Sequence, residues 1–131
     1  MKKLIENKIV ENKIALSFRE LANKKLLFRL ENTKRNNTKS FSIYEKAKNS
    51  TTIKEAFNLD YRKIDIEYDT TKNNRFKKVN LLLDINAYLD KSKKSLYLDL
   101  LNSNDTYIKE NKVSNEIIEN NKYFRNLVNS L

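Results

Sequence analysis

Three carboxylates, Asp65, Glu67 and Asp69, alternate with apolar residues. Carboxylate oxygens are ligands for divalent cations, and a strand would place all three on one face. The pattern could therefore form a metal site in a nuclease. The alternative is the solvent face of a half-buried strand. We favour the solvent face, because no second acidic cluster at a recognisable spacing accompanies the three. No metal site and no cofactor are predicted.

Several residue types that active sites use are absent. The chain contains no histidine, no cysteine and no glycine. Without histidine and cysteine, this chain alone cannot build a Ser-His-Asp or Cys-His arrangement or a thiolate metal site. Without glycine, it cannot form the glycine-rich loops that hold phosphates. We therefore expect a binding protein and not an enzyme.

Tyrosine rings could contribute stacking interactions with nucleic-acid bases. Of the seven tyrosines, Tyr44, Tyr61 and Tyr68 lie near basic residues. A tyrosine beside cations could stack on a base or contact a sugar. The alternative for each of them is packing in the core.

Positive charge is concentrated towards the N-terminal end. The 131 residues carry a net charge of +10, made up of +7 over 1–40, +3 over 41–78 and zero over 79–131. A basic balance suggests nucleic acid, an anionic membrane surface or an acidic protein. Lysine and asparagine have AT-rich codons, so a low-GC genome would raise lysine on its own. Such a bias would not readily produce the gradient, and we expect any surface for a polyanion to lie before residue 79.

The basic residues of this part form two groups, one from position 19 to 39 and one from 72 to 78. Their alternative role is a solvated, charged surface. We predict phosphate contacts, in which long cations displace counterions from nucleic acid. The predicted contact residues are Arg19, Lys25, Arg29, Lys34, Arg35, Lys72, Arg75, Lys77 and Lys78.

A protein partner is the alternative to nucleic acid. A small protein encoded by a phage or plasmid could use the same basic surface to occupy an acidic face of a host nucleic-acid enzyme and inhibit it. Salt-dependent binding to nucleic acid would separate the two hypotheses.

Helices are predicted from capping signals and apolar spacing. Two capping boxes, Ser17–Glu20 and Thr52–Glu55, predict helices that run over 18–31 and through about residue 59. An apolar stripe predicts another helix over about 91–102. A helix is also favoured over 3–14.

In the middle of the chain, apolar and polar residues alternate with a period of two, as in a strand. This alternation over 64–69 predicts a strand. Residues 70–74 are predicted to form a turn and 76–85 a returning strand, so that the three segments form a hairpin over 62–85. A short strand is predicted near 41–43. The predicted fold class is therefore α+β, with helices at both ends, a small antiparallel sheet and a single domain over 1–131.

The stretch IKEAFNLDYRKIDIEYDTTKNNRFKKVNLLLDI, residues 53–85, combines a capped helix, the alternating segment, a basic turn and an apolar segment. In this rhythm it resembles the last helix and wing of winged-helix domains, and in particular that part of plasmid replication initiator proteins. The resemblance implies DNA binding, with Lys72, Arg75, Lys77 and Lys78 in the wing.

The neutral tail, 91–131, ends in apolar positions spaced 4, 3, 4, 3 and 4 residues apart, which predicts a helix over about 112–131. This helix could cover the core, which we favour, or pair with a second copy in a homodimer, with Asn120 setting the register. A helix-turn-helix with its turn at Asn120-Asn121 is a further alternative. The residues of the stripe are Val113, Ile117, Asn120, Phe124, Leu127 and Leu131.

No stretch approaches the roughly 18 apolar residues that a membrane span requires. The first residues, MKKLIENKIVENK, are basic but lack the continuous apolar run of a secretory signal. We therefore expect no membrane partner and a cytoplasmic protein of a low-GC bacterium or a mobile element.

Overall fold

The computed structural model describes residues 21–70 and 78–131. Across these residues the fold is α+β, as predicted, with five α-helices and a two-stranded antiparallel sheet. Two single-turn 3-10 helices, Asn86–Tyr88 and Lys91–Lys93, precede the longest helix. The strands and α-helices are β1 (Leu26–Phe28), α1 (Lys39–Ala47), α2 (Ile53–Asn58), α3 (Lys63–Thr70), β2 (Leu81–Leu83), α4 (Lys94–Glu110) and α5 (Asn115–Asn129).

The sheet lies between two layers of helices. Leu26 and Phe28 of β1 pack into one buried cluster with residues of α1, α2 and α3. Leu27 points to the opposite face and packs with residues of α4 and α5, including Leu100 and Phe124. Because both faces are covered, both strands are continuous apolar runs without polar alternation.

Side chains from helices complete the outer edge of β1. The strand β2 bonds one edge, in a register that pairs Leu27 with Leu82. On the other edge, Asn120 Nδ2 donates to Leu26 O at 2.6 Å, and Asn104 Nδ2 donates to Phe28 O at 3.0 Å. Asn104 Oδ1 also accepts from Leu30 N at 2.8 Å. Two asparagines therefore occupy hydrogen-bonding positions that a third strand would otherwise fill.

The predicted hairpin over 62–85 is wrong. Residues 63–70 form helix α3, and β2 pairs with β1 and not with an adjacent strand. Asp65 Oδ2 accepts from Arg62 N at 3.1 Å, which is the bond that a capping box makes at the start of a helix. Within the stretch that carries the resemblance to a helix and wing, residues 53–70 and 78–85 form two helices and a strand. Lys72, Arg75 and Lys77 of the expected wing lie outside the described residues, so the resemblance stays a prediction.

Two further local predictions are wrong. The helix over 18–31 gives way to β1, because a short apolar run fits a buried strand as well as a helix. The strand near 41–43 lies inside α1, whose N-cap Thr38 accepts from Phe41 N. The expected helix over 3–14 and the first capping box lie outside the described residues.

Other local predictions are confirmed. Helix α2 begins at the predicted capping box, where Thr52 Oγ1 accepts from Glu55 N at 3.3 Å. The predicted helix over 91–102 corresponds to α4, which continues to Glu110, and the predicted terminal helix corresponds to α5. Helix α5 is continuous through Asn120 and Asn121, so the helix-turn-helix alternative is wrong.

The α5 stripe covers the core of its own chain. Phe124 is fully buried, Ile117 and Asn120 are nearly so, and Leu127 and Leu131 pack against the same cluster as Phe124. Val113 is partly buried just before the helix. The favoured interpretation of the stripe, that it covers the core, is therefore confirmed. Its central residues are buried within the chain, so they are not available for the alternative, pairing with a second copy.

Within the described ranges, every helix is too short or too polar to cross a lipid bilayer.

Asn104→Ala should lower the free energy of unfolding by about 3 kcal/mol, because it leaves buried backbone groups at Phe28 and Leu30 without partners. Urea denaturation followed by circular dichroism measures the change. Asn126→Ala is the matched control, because Asn126 is exposed on α5. An Asn104→Ala midpoint equal to that of Asn126→Ala would contradict the role assigned to this edge.

Candidate nucleic-acid interface

A cleft of about 990 Å³ opens between α1 and α3. The loop before α1 forms one end of it, and the loop between α2 and α3 forms part of its wall. Its lining combines five cations, three carboxylates, three aromatic rings, one aliphatic side chain and two hydroxyl-bearing residues. They are Lys34, Arg35, Thr38, Lys39, Ser40, Ile43, Lys46, Phe57, Asp60, Tyr61, Arg62, Asp65, Tyr68 and Asp69.

Helical spacing explains which side chains reach the cleft. On α1, Lys39, Ile43 and Lys46 are four and three residues apart and therefore lie on one face. On α3, Asp65 and Asp69 are four residues apart and both line the cleft. Glu67 is not among the lining residues, so the three carboxylates predicted to share a strand face are separated by the helix. In the described residues, no group of three acids is arranged to hold a metal ion.

Three cleft cations lack an acidic partner. Of the five, Lys34 pairs with Asp69 at 2.7 Å and Arg62 pairs with Asp65 at 3.2 Å. For the other three, no carboxylate of the described residues lies within ion-pair distance, and all three are exposed. They are Arg35, Lys39 and Lys46. These cations give the cleft a net positive charge.

The start of α1 adds to this positive field. Thr38 caps the helix, and Asn37 precedes it with φ 63°, a left-handed conformation that asparagine tolerates. The first turn contains no acidic residue. The partial positive charge of the helix N-terminus is therefore not offset within the turn, and it lies beside Arg35 and Lys39.

One ion pair at the cleft is buried on its acidic side. The Asp69 side chain is 1% exposed, whereas that of Lys34 is 18% exposed. Burial raises the pKa of the Asp69 carboxyl above its ordinary value, although hydrogen bonds from Lys34 and Asn80 oppose this shift. The pair fixes the Lys34 ammonium at the cleft wall, so we regard Lys34 as a positioning residue and not as a free phosphate contact.

The structure separates the three tyrosines that were candidates for contact with bases. Tyr44 is fully buried, its hydroxyl donates to Arg29 O at 2.5 Å, and burial raises its pKa. Tyr61 is 2% exposed and its ring packs edge-on against Phe28. Tyr68 is 44% exposed. Tyr44 and Tyr61 therefore have the alternative role, packing in the core, and Tyr68 is the exposed one of the three.

Arg29 belongs to the core and not to a binding surface. It is 2% exposed, and its guanidinium donates to Val79 O at 3.0 Å and to Asp99 Oδ2 at 2.7 Å. The bond to Asp99 joins the residue after β1 to α4, and the bond to Val79 joins it to the segment before β2. The predicted phosphate contact from Arg29 is wrong, because the group is neither accessible nor unpaired.

Of the other predicted phosphate contacts, two are exposed in the described part of the chain and four lie outside it. Lys25 is exposed, and its Nζ lies 4.1 Å from the centre of the Tyr123 ring, away from the cleft lining. Lys78 is also exposed. The remaining four lie outside the described residues and stay predictions: Arg19, Lys72, Arg75 and Lys77.

The sequence prediction missed two of the three unpaired cleft cations, Lys39 and Lys46, as contact residues. Their spacing of seven would have identified a common helix face, had 39–47 been interpreted as a helix. Lys48, two residues further on, has a different role. Its Nζ donates to Leu30 O at 2.9 Å and is nearly buried, so charge alone does not reveal which lysines face solvent.

Comparison with known proteins gives no relative from which to transfer a role. No protein-family model matches the sequence, and no curated protein or solved structure matches it.

The raised pKa of Asp69 has a consequence for stability. Between the ordinary aspartate pKa of 3.8 and the higher pKa of the folded state, Asp69 is protonated in the folded protein but ionised in the unfolded chain. This contribution is fully present below the ordinary aspartate pKa of 3.8 and is lost as pH rises through the higher pKa of the folded state. The wild-type protein should therefore lose stability relative to Asp69→Asn as pH rises through this range.

Urea midpoints for both proteins between pH 3.5 and pH 7 measure this difference. Asp60→Asn is the matched control, because Asp60 is exposed, lines the same cleft and has φ 65°, which asparagine tolerates. A constant difference between wild type and Asp69→Asn across the range would rule out the burial argument.

Proposed function

We propose that this protein binds nucleic acid through the cleft between α1 and α3, without a catalytic step, and acts in the cytoplasm. The observation that carries the proposal is the set of three exposed cations, Arg35, Lys39 and Lys46, that converge on one cavity without acidic partners. A chain of phosphates is the ligand class that satisfies several such cations together.

The type and placement of the cations support contact with phosphates. Lys39 and Lys46 lie seven residues apart on α1, which corresponds to roughly 10 Å along the helix axis. Arg35 lies in the loop just before the helix and adds a planar guanidinium that can bind a phosphate through two donors. Cations spread over this length suit an extended polyanion better than a single small anion.

Two of the three cleft acids are already paired with cations. Asp65 and Asp69 are each held by a cation, so their negative charge is largely balanced locally. Asp60 is the third cleft acid. Because two carboxylates are engaged in ion pairs and the chain has no histidine or cysteine, the proposal includes no proton transfer or nucleophilic attack.

A salt titration tests the proposal. Binding of fluorescent single-stranded and duplex DNA and RNA should weaken steeply as salt rises, because each phosphate contact releases counterions. Changing Arg35, Lys39 and Lys46 together to alanine should make the slope of log K against log salt shallower by about 2 to 3. Fluorescence anisotropy from about 50 mM salt upwards measures both slopes.

The matched control removes the same charge from the other layer of the fold. Lys91, Lys109 and Lys112 are exposed and belong to or flank α4, which packs on the opposite face of the sheet. Changing these three to alanine should leave the slope near that of wild type. Equal losses in both triple variants would show that net charge alone drives binding. Absence of binding near 50 mM salt would reject the proposal in favour of an acidic protein partner.

A further inference from the structure

Tyr68 is unusual among the aromatic residues of the cleft. Its side chain is 44% exposed, whereas Tyr61 is 2% exposed. It lies on α3 beside Asp69, with Ile64 one turn earlier and 57% exposed. Large side chains exposed in this way at the edge of a cavity are typical of binding surfaces.

The ammonium of Lys34 makes a cation–π contact with the Tyr68 ring. Lys34 Nζ lies 5.0 Å from the ring centre and 2.7 Å from Asp69 Oδ1. The same ammonium lies 5.8 Å from the centre of the Tyr44 ring, which is fully buried. The buried ion pair therefore anchors the ammonium against Tyr68. The residue is still 44% exposed although this ammonium lies over its ring.

We infer that the cleft binds single-stranded nucleic acid, with an unpaired base stacked on the open face of Tyr68 and the flanking phosphates on Arg35, Lys39 and Lys46. This inference rests on the proposed function and names its substrate class. The cations of the cleft can pair with the phosphates, and the Tyr68 ring can stack on the flat apolar face that every base presents.

A duplex does not satisfy this arrangement. The bases of a duplex are stacked on each other, so their faces are not available to a side chain unless a base leaves the stack. The three cations could still contact the phosphates of a duplex, but Tyr68 would gain nothing. Single strands should therefore bind more tightly than duplexes of equal phosphate number.

The chain contains no tryptophan, which gives a direct test. Tyr68→Trp places the sole indole at the proposed stacking position. Single-stranded oligonucleotides of 12 residues should quench its fluorescence on binding, because a stacked base quenches indole emission. A duplex compared at equal phosphate concentration, and an abasic oligonucleotide that carries the same phosphates without bases, should bind more weakly and leave the emission unchanged.

Two further variants separate stacking from folding. Tyr68→Ala should weaken binding of the single strand roughly tenfold, which is typical of a lost base–aromatic contact. Tyr68→Phe keeps the ring and should keep the affinity. Tyr123→Phe is the control at an exposed aromatic outside the cleft. Circular dichroism checks that each variant is folded.

The outcomes distinguish the inference from the proposed function. If single strand, duplex and abasic strand bind equally and the indole emission is unchanged, stacking is rejected while binding of nucleic acid stands. If none of them binds, the proposed function is rejected as well. If a free mononucleotide quenches the indole and binds as tightly as the 12-residue strand, the ligand is a nucleotide, and the assignment to a strand is overturned.

Discussion

The hydrogen bonds at the outer edge of β1 determine how the rest of this chain can pack. A buried strand must find partners for every backbone N–H and C=O group. Because β2 bonds only one edge, the carbonyls of Leu26 and Phe28 need donors from elsewhere, and Asn120 and Asn104 supply them. Each asparagine fixes the position of its helix against the strand, so α4 and α5 are held by geometry as well as by apolar contact.

The sheet also positions the cleft, which lies on its other side. Asn80, immediately before β2, accepts from Arg29 N at 2.8 Å and donates its own backbone N–H to Asp69 O at 3.1 Å. The end of α3 is therefore attached to the sheet next to the carboxylate that anchors Lys34. The position of Tyr68 follows from this attachment, since it is the preceding residue of the same helix.

Particular residues show how far the sequence could predict this arrangement. The capping box at Thr52 and the apolar spacing of α4 and α5 were sufficient, because each signal is local and continues over enough residues to exclude a strand. The alternation around Ile66 was misleading, because eight residues fit a period of two or of 3.6, and the bond from Arg62 N to Asp65 that starts α3 was overlooked. The role of Asn120 could not be predicted, because its partner lies 94 residues away. The cleft is formed by α1 and α3, which the sequence did not predict as helices. Only some of its lining residues were therefore among the predicted contacts.

The long separations at the edge of β1 also affect how the chain folds during synthesis. Leu26 leaves the ribosome well before Asn120 is synthesised, because the two are separated by 94 in sequence. Phe28 and Asn104 are separated by 76. Until then these two carbonyls lack the side-chain donors that they have in the folded chain, although Leu26 N already has a partner available at Thr51 O. Contacts of this sequence separation form late and slowly. The edge of β1 is therefore complete only after the last helix of the chain has been synthesised.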